Sequence, residues 1–356
     1  MRIERLTLDE WADALPDSGF EVFHTAPALS VLDDHAAGDL SLLGGFNGDQ
    51  PVALVPLFVR RGPLGTAMLS SPPPGFNIPH LGPIAMPQSP KRRKREKQNG
   101  EFAEKVIETL DADDSRTLFR AVCAPTYGDP RPFRWAGFDV DAAFTYRLAV
   151  DGSPDELLSS FSKSLRREIR DGTESDVVVS RAGREAAEAV YWHTAARYAE
   201  QGEELGSSWE YVRDLLDALG TEGRYRVYTA ETADGRFLGG IIVLYSNDCA
   251  YYWLGGVRTT HEGVSVNSLL HWHIIRDVAG ADSTNRNGNR DEGGDGNGDS
   301  LLASVSQYDL VGANTERLCR YKAKFGADLR HYYAVESAGP RMTLAKTAYE
   351  RVNSVL

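Results

Sequence analysis

Apolar positions along this chain keep two periods, and the changes between them mark out its elements. Around residue 40 the run LSLLGGF, the turn NGD and the run QPVALVPLFV read as strand, tight turn, strand, with Asn47-Gly48 supplying residues that tolerate positive φ. A second meander, RYRVYTAE–TADG–RFLGGIIVLYS–ND–CAYYWLGGV, reads as three strands turning at Asp234-Gly235 and Asn247-Asp248. A helical region precedes each meander and a helix follows it. The pattern predicts a duplicated α+β unit.

The segment between the halves is extended over FTYRLAV (144–150). Ser153 then opens a helix, with Pro154 at its first position and Glu156 placed to close a capping box. Leu157, Leu158, Phe161, Leu165 and Ile169 continue at helical spacing, which predicts one helix through the whole stretch. Further helices are expected at 184–200, at 208–219 (opened by Ser207 or Ser208 and closed by Gly220), and over VNSLLHWHIIRDVA (266–279). A strand near 306–310, a helix near 315–324, the strand LRHYYAVE and a last helix near 341–353 complete the prediction. The domains are set at 1–150 and 151–356, in keeping with the length of 356 residues.

Two stretches break the pattern. Residues 88–100 put six basic side chains into the seven from Lys91 to Lys97, and residues 280–300 are nearly free of apolar side chains. Neither buries enough surface to offset its ordering entropy, so both are expected as mobile loops. The formal net charge is −12, and 31 of the 39 basic residues are Arg. That acidic, lysine-poor balance suggests a protein adapted to high salt, a halophilic habitat. There is no stretch of 18 apolar residues and no signal-peptide core at the charged N-terminus, so the expected address is cytoplasmic. Cys123, Cys249 and Cys319 fit neither a disulfide framework nor a metal site, and read as small buried hydrophobes.

Common catalytic signatures are missing: no GxSxG elbow, phosphate loop, HExxH or dinucleotide fingerprint occurs. His271 and His273 are two apart on a helix and point to different faces, so no metal site is expected from them. The informative stretch is Y-D-L-V-G-A (308–313) followed by Y-K-A-K-F-G (321–326). These motifs resemble the end of the second lobe in FemAB-like transferases of the GNAT superfamily. There a strand bearing D-[FL]-x-G precedes a helix bearing aromatic-Lys-x-x-Phe-Gly. YYWLGG (251–256) with the helix after it, and I-P-H-L-G-P (78–83) in the first half, also resemble elements of that family.

The resemblance implies two GNAT-like lobes and direct transfer of an acyl or aminoacyl group to an amine, with no metal and no covalent enzyme intermediate. It makes Lys322 the group that stabilises the tetrahedral intermediate or an adjacent phosphate, a donor whose loss typically costs about 3–4 kcal/mol. Asp309 would orient the amine or Lys322, or else cap the turn after its strand. Tyr321 and Phe325 fall on the substrate-binding part of the motif, Tyr211 and Tyr252 would line the acceptor site, and Arg166 in its basic helix would meet phosphates. Ser207 stands where family members with peptidoglycan-precursor acceptors carry an arginine.

The superfamily's coenzyme A signature is only partly present. Arg258, Gly263 and Ser265 fall on it, with Glu262 intruding as an acid. No tightly bound cofactor is implied. The donor is an acyl-CoA or an aminoacyl-tRNA, and the acceptor a small-molecule, glycan or peptide amine. A plain acetyl-CoA-dependent N-acetyltransferase and a binding module that has lost its chemistry remain alternatives, and the basic run 91–97 raises RNA contact.

Overall fold

The computed structural model describes residues 1–87, 89–256, 260–287, 301, 303–339 and 344. It divides into two units, Met1–Ala143 with His331–Leu356, and Phe144–Arg330. The sequence reading placed the division at 150. Both boundaries instead fall inside strands, β7 (Asp139–Ala149) and β13 (Asp328–Glu336).

In the first unit β1 (Arg2–Leu6), β2 (Asp39–Asn47), β3 (Gln50–Arg61) and β4 (Ala67–Ser71) form an antiparallel meander. The chain then crosses by α3 (Arg92–Leu110) to β6 (Thr117–Val122), which lies parallel to β4, and the end of β13 pairs antiparallel to β6. The second unit repeats this order. Here β8 (Val177–Ala182), β9 (Tyr225–Thr232), β10 (Phe237–Tyr245) and β11 (Cys249–Gly255) make the meander. The helix α9 (Val266–Asn287) crosses to β12 (Gln307–Asp309), parallel to β11, and β7 pairs antiparallel to β12. A meander, a helical crossover, a parallel strand and a closing antiparallel strand constitute each unit. That common order is the duplication expected from the sequence.

Three local expectations are corrected. The stripe from Leu157 to Ile169 belongs to two helices, α5 (Pro154–Ser160) and α6 (Lys163–Thr173). Ser153 and Glu156 form the predicted capping box, but Phe161 is extended (ψ 155°) and Ser162 caps the second helix through Leu165 N–H. Apolar spacing continued across the break because both helices bury the same side. Residues 92–100 are helical, forming the first turns of α3. Arg92–Glu96 (2.9 Å) and Lys97–Glu101 (3.5 Å) pair one turn apart, and Phe102, Ala103, Val106 and Ile107 bury the later turns. The helix α9 runs eight residues past the predicted Ala279, to Asn287. Residues 288–300 and the predicted helix at 341–353 lie outside the described residues, apart from 344.

The I-P-H-L-G-P element is built into the first unit. Leu81 N–H bonds Val122 O (2.9 Å), Gly82 N–H bonds Ser71 Oγ (2.9 Å), and His24 Nε2–H donates to Gly82 O at 3.1 Å. Gly82 has φ +63°, and a Cβ there would lie 2.8 Å from Cys123 Cα. Gly82→Ala is therefore expected to destabilise the protein by about 1–3 kcal/mol or more, read as a fall in the urea midpoint at unchanged slope. An unchanged midpoint would contradict the close packing.

Candidate functional site

The site grows from the point where two parallel strands part. β11 and β12 pair only over Cys249–Tyr251 and Gln307–Asp309. Beyond that, β11 stays with β10 as far as Gly255, across a bulge at Ile242/Val243. The other strand is continued by Leu310 and Ala313, which bond the carbonyls of Tyr146 and Phe144.

Asp309 causes the divergence. Its fully buried carboxylate accepts the N–H of Val311 (2.8 Å), which bends the backbone and puts Val311 (φ 49°) and Gly312 (φ 66°) in the left-handed region. A β-branched residue there is strained, and the surroundings must hold it. They do so through the same carboxylate, which also accepts from Thr145 Oγ1 (2.5 Å) and from the buried Arg147 Nε (2.9 Å). Of the two roles open to Asp309, capping the turn is the one its bonds describe.

The turn aims its carbonyls at Lys322. This residue lies at the end of α10 (Glu316–Lys322) and is only 5% exposed. Its ammonium donates to Val311 O and to Gly312 O (3.0 Å), and stands 5.7 Å from the centre of the Tyr252 ring. Burial pushes the Lys322 pKa down to about 8, against the opposing pull of Asp309.

After the short turn Ala323–Phe325, the motif docks on the break between α5 and α6. Ser162 N–H bonds Lys324 O (2.8 Å), and a Cβ on Gly326 (φ +67°) would stand 2.9 Å from Ser160 O. Phe325 is fully buried, edge-on to Phe161, His271 and Tyr321 at 5.3–5.6 Å. It braces the site from the core, and the substrate-binding role expected of it is corrected accordingly.

His271, from which the sequence reading expected no metal site, is part of the cluster around Lys322. It is fully buried, its Nδ1 lies 2.9 Å from Tyr308 Oη, and its ring meets Tyr252 edge-on at 4.7 Å. Burial, helped by the Lys322 charge, lowers its pKa to about 3, so the ring is neutral. Nε2 has no hydrogen-bond partner among the described residues.

A second cluster surrounds the end of β11. Tyr252 Oη donates to Gly255 O (2.8 Å), and Arg197 from α7 (Ala186–Ala199) donates to the same carbonyl (3.2 Å). Asn267 Nδ2 reaches Tyr321 Oη at 3.1 Å, and burial pushes the Tyr321 hydroxyl pKa up. Arg197, Asn267, Ser268, Glu168 and His271 carry no motif. Packing of α6, α7 and α9 brings them together.

Other predicted residues stand elsewhere. Tyr211 is 1% exposed, on the core face of α8 (Trp209–Gly220) with Val212, Leu215, Leu216 and Leu219. It is a packing residue and does not line an acceptor surface. Arg166 is exposed on α6, where its neighbours Arg167 and Arg170 pair with Asp171 (3.4 and 3.2 Å). Arg258 lies outside the described residues.

Gly263 (φ +86°) and Ser265 lead into α9, with Ser265 Oγ 2.8 Å from Ser268 Oγ. Beside them Asp176, His261 and Glu262 each bring one ligand atom within 4.8 Å of the others, a spacing that suits a cation. Arg236 Nη2 lies 3.2 Å from His261 Nδ1, however. A guanidinium only donates, so His261 carries its proton on Nε2, which faces Asp176 at 3.4 Å. The nitrogen that would have to ligate is therefore protonated.

Residues 159–284, which run from the end of α5 through most of α9, match the family described as Acetyltransferase (GNAT) domain. No curated protein matches the sequence. Among solved structures the fold is similar to that of FemX, at 11% identity and a TM-score of 0.64, over 94% of this chain and 97% of that one. It is also similar to a tandem GNAT protein from the clavulanic acid biosynthesis pathway (14%, TM-score 0.50, 95% and 99%). A third similar structure is L-PGS from Bacillus licheniformis (9%, TM-score 0.51, 95% and 99%). At these identities the likeness concerns the fold.

Proposed function

We propose that this chain, a transferase whose second unit carries a GNAT acetyltransferase domain, moves an acyl or aminoacyl group onto an amine by direct attack. One observation carries the reading: a buried ammonium, Lys322, stands where β11 and β12 part, under the Tyr252 ring. Two of its three N–H groups hold the carbonyls of Val311 and Gly312, which leaves the third for the oxygen that becomes negative as the amine adds. The donor carbonyl is placed beside it, where β11 and β12 no longer pair. Arg197, Tyr252 and Asn267 surround the turn at Gly255–Gly256 and supply polar groups to place the amine.

Between donors, the acids at α9's approach matter. Glu262 and Asp176 oppose a pyrophosphate at that helix end, and Ser265 Oγ is engaged with Ser268, so the geometry favours an aminoacyl ester over coenzyme A. The basic first turns of α3 would then offer RNA phosphates a surface.

A second reading draws on the same two carbonyl bonds. In it Lys322 is a strut that fixes the 309–312 turn, and the chain is a binding module without chemistry. The separating experiment is an assay by mass spectrometry with radiolabelled acetyl-CoA and with charged tRNAs as donors, against amino sugars and peptides. Acylated amine formed by wild type and lost in Lys322→Met supports transfer. No product from either protein across the donors contradicts transfer, and equal product from both contradicts the part given to Lys322.

A further inference from the structure

The hydroxyl of Ser268 has one hydrogen and three oxygen neighbours: Glu168 Oε2 at 2.8 Å, Ser265 Oγ at 2.8 Å and Tyr321 Oη at 3.4 Å. A carboxylate only accepts, so the Ser268 hydrogen points at Glu168, and the other two hydroxyls must donate to Ser268. Tyr321 Oη in turn accepts from Asn267 Nδ2 at 3.1 Å, which leaves its own hydrogen for Ser268. The chain of bonds therefore has one direction, Tyr321 to Ser268 to Glu168.

Its inner end lies among the rings of His271 and Phe325 beside the Lys322 site. Its outer end reaches solvent, since the Glu168 side chain is 27% exposed and is held by the half-exposed Lys324 at 2.7 Å. On Glu168's own helix, Arg167 and Arg170 are occupied with Asp171. A carboxylate at the mouth of a fixed hydrogen-bond chain, fed by a partly buried phenol, is more than a tie between helices requires.

We infer that Tyr321, Ser268 and Glu168 form a proton exit for the transfer reaction, an inference that rests on the function proposed above. As the amine nitrogen bonds the carbonyl carbon and the bond from that carbon to the donor's leaving oxygen or sulfur breaks, the nitrogen sheds a proton. That proton passes to Tyr321 Oη while Tyr321's own hydrogen moves to Ser268 and Ser268's hydrogen moves to Glu168. Glu168 then releases it to water. Tyrosine and serine begin and end neutral, the carboxylate takes up one proton, and the leaving group departs with the bonding pair. Glu168 and Ser268 are positioning residues here, acting through Tyr321.

The test has two arms. The first needs no substrate: the full chain, labelled with ¹³C at tyrosine Cζ and glutamate Cδ, is titrated by NMR. The Tyr321 signal is expected to move with the midpoint of Glu168, to stop following it in Ser268→Ala, and to follow it again in Ser268→Thr. A Tyr321 signal that ignores Glu168 in wild type, or still tracks it in Ser268→Ala, overturns the relay.

The second arm uses the donor and amine identified in the transfer assay. Glu168→Gln is expected to lower kcat about 100-fold with KM unchanged, and to straighten a curved dependence of rate on the D₂O fraction. A kcat within about twofold of wild type, or a matched rise in KM, overturns the relay. If no donor gives product, the first arm still decides the hydrogen-bond chain, so the two failures remain distinct.

Discussion

Changing Lys322 to alanine is expected to lower the single-turnover rate of transfer by about 10²–10³-fold, with a much smaller effect on donor affinity. The size follows from what the ammonium meets. In the ground state it faces the Val311 and Gly312 carbonyls, and only as the amine adds does a full negative charge develop within its reach. Lys322 is buried, so that interaction is stronger than it would be in bulk water. Truncation also leaves two carbonyls of a strained turn without their donor. A measured loss below about fivefold would mean that charge develops elsewhere. Added methylammonium, small enough to enter the space left by the side chain, is expected to restore part of the rate.

The second large effect is on stability. Asp309→Ala is expected to cost about 3–5 kcal/mol, read by urea unfolding, because it leaves Arg147 as a buried charge without its carboxylate. The same change removes the acceptor that holds Val311 N–H and Thr145 Oγ1. Activity should fall even at temperatures where the variant stays folded, since the carbonyls that position Lys322 lose their fixed direction. Asp309→Asn keeps an acceptor for Val311 N–H but loses the charge, so it should lie between wild type and Asp309→Ala. If Asp309→Ala costs less than about 1 kcal/mol, the carboxylate does not organise the turn.

The contrast between Lys322 and Arg197 shows which parts of the site could be read from the sequence. Asp309, Val311, Gly312 and Lys322 lie within fourteen residues of one another, so the carboxylate that bends the turn and the amine that receives its carbonyls form a short motif. Arg197, Asn267, Ser268 and Glu168 come from three separate helices, and only the docking of α6, α7 and α9 makes them neighbours. A serine and a glutamate 100 residues apart have no local signature.

The strand meanders were legible because alternation and turn residues are local, and repetition in the second half reinforced them. Composition misled at 92–100. A run of six basic side chains suggested a loop, while the glutamates spaced one turn from Arg92 and Lys97, and the apolar stripe that begins at Phe102, made it a helix. Tyr211 misled for the opposite reason. A tyrosine at a position that resembles a substrate residue sits equally well on the buried stripe of α8, and there its ring is enclosed.

The most direct test of the central claim compares wild type with Lys322→Arg from pH 6 to 10. Taking the ratio of their transfer rates at each pH cancels the titration of the acceptor amine. The ammonium is the low-pH form, and burial brings its pKa to about 8, whereas arginine stays charged throughout. The ratio is therefore expected to hold level up to about pH 8 and then to fall towards tenfold per unit. A ratio that stays flat to pH 10, or rises through pH 8, would contradict a charged Lys322 at the reacting carbonyl.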